Sequence, residues 1–179
     1  MIETIIHFSD LHIKLYKDHK QYQDILYRCF KEWADLKPDR IVFTGDLVHS
    51  KNQMTPELIN MVTWVLSQCS VICPTIILIG NHDFLENNLD RMDSISPILT
   101  AMKNDNIVYL KDRGTLQDEN ITWCIYSLLE HNKRPTFTND GNTHYIGLFH
   151  GPIQGTSTDM GFAFEDGYSV NEFEGCDIV

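Results

Sequence analysis

Three apolar, β-branched runs, each closed by a short polar cluster, constrain this chain more than any other feature. Residues 2–8 (IETIIHF) run into Ser9-Asp10-Leu11-His12, Arg40–Thr44 into Gly45-Asp46, and residues 75–79 into Gly80-Asn81-His82-Asp83. Asp10 to Asp46 is 36 residues and Gly45 to Gly80 is 35, the scale of one strand-helix-strand repeat, which takes roughly 30 residues or more. The intervening stretches carry helical periodicity. Over 21–36, Tyr22, Ile25, Leu26, Cys29, Phe30, Trp33 and Leu36 share one face and Pro38 lies just past the end. Thr55-Pro56-Glu57 offers a cap, a first-turn proline and an early acid ahead of Leu58, Met61, Val62, Val65, Leu66 and Cys69. The pattern is β-α-β-α-β, which predicts an α/β fold around a parallel sheet with helices covering it.

The second half changes character. Ile107–Leu110, a short run at Leu116, 121–128 and 143–149 read as strands, with a weaker helix over 93–103. Residues 130–142 are polar and hold Pro135 and Gly141, so they read as a loop. No repeat or linker stands out, and 179 residues suit one domain over 1–179.

Composition narrows the class. No apolar stretch reaches the roughly 20 residues of a membrane span, and the start lacks a basic leader; an intracellular, cytoplasmic protein without membrane association is expected. The five cysteines are scattered and read as small buried hydrophobes. A net charge of -11 has the wrong sign for a groove that neutralises many phosphates. Two bound divalent cations would place about four positive charges where one phosphate must sit.

Each polar cluster follows a strand, so all three are expected at the carboxyl edge of the sheet, where open α/β folds hold ligands. The strand at 145–149 ends in His150-Gly151 in the same manner. Asp10, His12, Asp46, Asn81 and His150 offer carboxylate and amide oxygens with imidazole nitrogens, the donors that a pair of divalent metals takes. His7, His19, His131 and His144 sit in strand or polar contexts and read as structural or solvated, and Trp33, Trp64 and Trp123 as core.

Taken in order, D-x-H, GD, GNHD and the later strand-ending HG resemble the calcineurin-like metallophosphoesterases over nearly the whole chain. That resemblance implies a metallophosphoesterase sandwich: a mostly parallel β-α-β sheet packed on a second mixed sheet, with helices outside. Within the superfamily, GDLVHS, in which His49 stands three residues after Asp46, LKPDRIVFTGDLVH and IGLFHGPIQG look like the SbcD-type DNA double-strand-break repair nucleases of bacteria, archaea and phages. The resemblance implies Asp10 and His12 on a first metal, Asn81 and His150 on a second, and Asp46 bridging. It gives His82 the phosphate and leaving oxygen, His49 the transition-state charge, and Asp83 the orientation of its neighbours. Manganese is the implied metal, and the implied reaction is in-line attack by a metal-bridging hydroxide on a DNA phosphodiester. DNA, an SbcC-type ATPase and a second copy of the chain are the implied partners.

The family carries a further Gly-x-His element after the His150 region, which this sequence lacks. The expectation is a chain cut before that motif, with residues 173–179 entering a strand. Two other readings stay open: a small-molecule phosphodiesterase or pyrophosphatase of the same superfamily, which the acidic charge favours, and a metal-poor subunit that binds a partner without hydrolysis.

Overall fold

The computed structural model of the chain describes residues 1–51, 53–130 and 133–179; His131 lies outside them. The chain divides into two compact units, one over Ile2–Leu110 and one over Lys111–Val179 together with Met1.

The first unit alternates strand and helix throughout: β1 (Ile5–Phe8), α1 (His19–Leu36), β2 (Arg40–Thr44), α2 (Pro56–Ile72), β3 (Thr75–Leu78), α3 (Ser96–Met102) and β4 (Ile107–Leu110). The four strands form one parallel sheet in sequence order, with Ile5 beside Arg40, Ile41 beside Thr75 and Thr75 beside Ile107. The sequence suggested three parallel strands here. β4 is the fourth, and its pairing is a tertiary fact that the run Ile-Val-Tyr-Leu does not reveal.

The helix signals act as anticipated. Thr55 Oγ1 accepts from the Leu58 amide at 3.2 Å, with Pro56 opening α2. The face Leu58, Met61, Val62, Val65, Leu66 and Cys69 is at most 2% exposed, and it shares a core with Ile41, Phe43 and Ile77. Burying one such aliphatic side chain contributes about 1.5–3 kcal/mol before the entropy of ordering it. Helix α3 starts at Ser96 rather than 93, with Ile95 at the cap position; Asp93 stays outside it, and its Oδ1 accepts from the amides of Ile95 (3.0 Å) and Ser96 (2.7 Å).

The second unit is a mixed sheet of β5 (Gly114–Asp118), β6 (Ile121–Tyr126) and β7 (His144–Phe149), in which β5 and β6 run antiparallel and β6 and β7 parallel. Two corrections fall here. Leu128 belongs to a 3-10 turn, Leu128–Glu130, rather than to the strand, and the C-terminal segment forms a second such turn, Val170–Phe173, followed by a single bridge from Ile178 to Ile146 in place of a continuing strand. Tyr126, Phe149, Tyr168 and Phe173 pack ring on ring in the unit's own core, in edge-to-face, tilted and stacked pairs with centroids 4.7–6.3 Å apart. The fold is therefore α/β, a parallel sheet with helices and a second mixed sheet. Cysteines 69, 73 and 124 are buried and all five are free thiols. Trp123 is fully buried, and Trp33 and Trp64 pack on Phe30. Among the described residues no helix is long and apolar enough to cross a membrane.

Candidate metal centre

The loops after β1 and β2 run side by side and extend the parallel ladder. Asp10 N donates to Gly45 O (3.0 Å), His12 N to Asp46 O (2.9 Å), Ile13 N to Leu47 O (3.0 Å), and His49 N back to Ile13 O (3.0 Å). This lacing sets Asp10 and His12 beside Asp46. It also demands unusual backbone: Asp10 (φ 57°), His12 (φ 44°) and Asp46 (φ 61°) all lie in the left-handed region, and Gly45 beside Asp46 has φ 94°. Non-glycine residues held there cost of order 1–3 kcal/mol each, and such strain gathers at functional sites.

The loop after β3 closes against the same pair of loops. Gly80 lies so close to Asp46 that a Cβ there would overlap the Asp46 amide and carboxylate, which explains the glycine opening GNHD. His82 N donates to Asp46 Oδ1 at 2.8 Å. The Asp83 carboxylate, with no exposure to solvent, accepts four backbone amides: Asp46 (3.1 Å), Leu47 (3.0 Å), Val48 (3.2 Å) and Gly80 (2.9 Å). Asp83 thus staples the second loop to the third. Burial pushes its carboxyl up to about 7 against those donors, and the neighbouring Asp46 charge adds to the rise.

Five of the residues singled out in the sequence converge. Ligand atoms of Asp10, His12 and Asp46 lie within 4.8 Å of one another, and so do those of His12, His49 and His82. His12 belongs to both groups. Its Nε2 stands 3.4 Å from Asp46 Oδ2 and 3.6 Å from Asp10 Oδ1, while its Nδ1 is buried without a hydrogen-bond partner. The His12 and His82 rings meet edge to face with centroids at 4.6 Å. His82 Nδ1 lies 2.8 Å from the His49 carbonyl; a carbonyl can only accept, so Nδ1 carries the proton and Nε2 of a neutral ring keeps its lone pair. Ser9, not anticipated from the sequence, donates its hydroxyl to Asp10 Oδ2.

Two carboxylates facing the Nε2 of one imidazole fit a divalent cation: it would relieve the carboxylate repulsion and use oxygen and nitrogen donors together. Asn81, half-buried, sits in the same loop between Gly80 and His82. His150 follows β7 and belongs to the second unit; its strand lies in the mixed sheet, not in the parallel sheet that carries the other three strand ends. His7 and His144 are exposed strand residues, His7 with its Nε2 2.8 Å from Thr44 Oγ1.

Such a centre, built on the carboxyl ends of parallel strands from carboxylates and imidazoles, is of the kind that metal-dependent hydrolases of phosphate esters use. The profile of the calcineurin-like phosphoesterases matches residues 3–171, and the chain belongs to that family, whose members generally bind divalent metals. It is 31% identical over 174 residues to the uncharacterized protein R555 of Acanthamoeba polyphaga mimivirus, an alignment covering 90% of this chain and 13% of that protein. It is also 31% identical over 85 residues to protein 244L of Invertebrate iridescent virus 6, whose name proposes a phosphoesterase; 47% of this chain and 29% of that protein are covered. The chain thus matches 13% of the length of the first relative and 29% of the second.

Proposed function

We infer that this chain is the phosphodiesterase core of an SbcD-type nuclease that cuts DNA ends in repair or recombination, with manganese as its metal. The observation that carries the reading is the joining of His12, His49 and His82 into one cluster. His49 stands three residues after Asp46, the spacing by which the chain resembles the nuclease branch. Relatives from two viruses fit a protein that acts on DNA in the cytoplasm of an infected cell. Partnership with an SbcC-type ATPase, and with a second copy of the chain, belongs to the same proposal.

Asp10, His12 and Asp46 would hold one cation; Asn81 and His150 are the ligands that the resemblance adds for a second. Bound divalent cations supply a water of lowered pKa and neutralise charge on the phosphate. The chain's own residues do the rest. Because the His49 carbonyl holds His82 Nδ1–H, the His82 Nε2 is free to take up a proton and pass it to the leaving oxygen. His49, exposed in the cluster, stabilises the charge that develops in the transition state. Asp83 keeps the Asp46 and Asn81 loops in register through its four amides, so the acceptors do not have to reorganise during reaction.

A small-molecule phosphodiesterase or pyrophosphatase is the second reading, favoured by the net charge of -11. The test assays linear duplex DNA and bis-p-nitrophenyl phosphate with manganese. Cleavage of both supports the nuclease, cleavage of the small ester alone supports the second reading, and cleavage of neither points to the partner-binding subunit.

A further inference from the structure

Within the first unit lies a cavity of about 280 Å³ that none of the ligand residues lines. Met54, Ile59, Leu85 and Met92 form its apolar walls, and its polar lining holds Lys51, Arg91, Ser94 and Asp93, whose carboxylate is occupied by the Ile95 and Ser96 amides and the Ser96 and Tyr109 hydroxyls. It is tied to the catalytic loops through the backbone. Ser94 N donates to Asp83 O at 2.8 Å, and Ser94 Oγ donates to Lys51 O at 3.2 Å. Lys51 is two residues from His49 and Leu85 three from His82, so their Cα atoms lie within roughly 7 and 11 Å of those histidines, the reach of an extended chain.

The size lies just below the usual range of ligand pockets, roughly 300–1,000 Å³. That suits a ring system rather than an extended peptide. Methionines on two walls offer the polarizable surface that packs on flat π faces, and a guanidinium beside them favours an anion. Lys51 is held by Glu86 at 2.7 Å, which leaves Arg91 as the stronger electrostatic attraction. On an otherwise acidic protein, an apolar cavity with Arg91 in its lining, whose Lys51 and Leu85 stand two and three residues from His49 and His82, complements a nucleoside attached to the scissile phosphate.

We propose that this cavity binds the nucleoside flanking the phosphodiester, so that the enzyme selects nucleotide esters over simple phosphodiesters. The proposal rests on the phosphodiesterase reading and narrows its substrate class. Its test compares two esters with the same leaving group, thymidine 5′-(p-nitrophenyl phosphate) and methyl p-nitrophenyl phosphate, as a ratio of kcat/KM. For the unaltered protein the ratio should be about tenfold or more, the scale on which one pocket discriminates. Ile59→Trp, which fills the cavity from the exposed start of α2, and Arg91→Ala should each pull the ratio toward one through KM, with Arg91→Lys restoring part of it. A ratio near one in the unaltered protein, or one that neither substitution moves while thermal melting is unchanged, overturns the proposal. If neither ester is cleaved, the phosphodiesterase reading fails by itself, and calorimetric titration with thymidine 5′-monophosphate decides the pocket. Binding weakened about tenfold by Ile59→Trp supports it; equal affinity, or none in the unaltered protein, rejects it.

Discussion

The two units add different anchors to the backbone hydrogen bonds of their loops. In Ile2–Leu110 the segments after β1, β2 and β3 are laced by backbone hydrogen bonds and gathered on one buried carboxylate, Asp83. In Lys111–Val179 the segments after β7 are also tied by backbone hydrogen bonds, among them Gln154 N to Tyr168 O (2.9 Å) and Tyr168 N to Pro152 O (3.1 Å), but there rings take the place of a buried carboxylate: Tyr168 and Phe173 pack on Tyr126 and Phe149. The difference follows from what the loops carry. Ligand groups that must face a cation cannot bury themselves in an apolar core, so their loops need directional bonds that fix position without covering the side chains.

The sharpest way to probe that contrast is within one motif, where His82 is proposed to do chemistry and Asp83 to build the loop. His82→Asn should lower kcat for bis-p-nitrophenyl phosphate by about 10²–10⁴-fold, with the urea midpoint unchanged. A lost midpoint would make His82 structural. Asp83→Ala should behave in the reverse order. It strands four buried amides, so urea unfolding followed by Trp33 and Trp64 fluorescence should show a loss of ~3 kcal/mol or more. Gly80→Ala should cost about 1–3 kcal/mol by overpacking against Asp46 and weaken manganese binding in titration calorimetry. Affinity equal to that of the unaltered protein would mean that the Gly80 contact does not position Asp46.

In the aromatic unit a single polar tie should matter less. Tyr126→Phe removes the bond to the Glu172 carbonyl and should cost about 1 kcal/mol, read as faster amide exchange in the Val170–Phe173 turn. A larger effect there than at Asp83 would break the comparison. The smallest effect should come from Asp39. The backbone amides of Glu3 and Thr4 hold its carboxyl below the ordinary value of 3.8. A depressed carboxyl stabilises the fold above its unfolded value and loses that contribution as pH falls through the folded one. The protection of the Glu3 and Thr4 amides, relative to their intrinsic exchange rate at each pH, should therefore fall on acidification below about pH 4, and Asp39→Asn should flatten that dependence.

Much of the first unit could be read from the chain itself. β2 and the cap and buried face of α2 lie where periodicity and capping chemistry put them, because those signals act within one turn or one strand. The strand-end residues were legible for the same reason: D-x-H, GD and GNHD each interrupt an apolar run. Less legible were the contacts that cross between loops. Asp83 stood out as an orienting residue through the family resemblance, but its four amides come from segments up to 37 residues away. Nothing in the sequence marked Ser9 or Ser94.

The sequence by itself determined the order of strands and helices, the apolar faces and the identity of the donor groups, since these depend on neighbours a few residues apart. Only the tertiary structure decided that β4 completes the parallel sheet, that the strand ending in His150 joins the mixed one, and that Asp10, His12, Asp46, His49 and His82 meet. Strand pairing and loop closure join residues far apart along the chain, and the free energy that selects them belongs to the packed whole rather than to any local pattern.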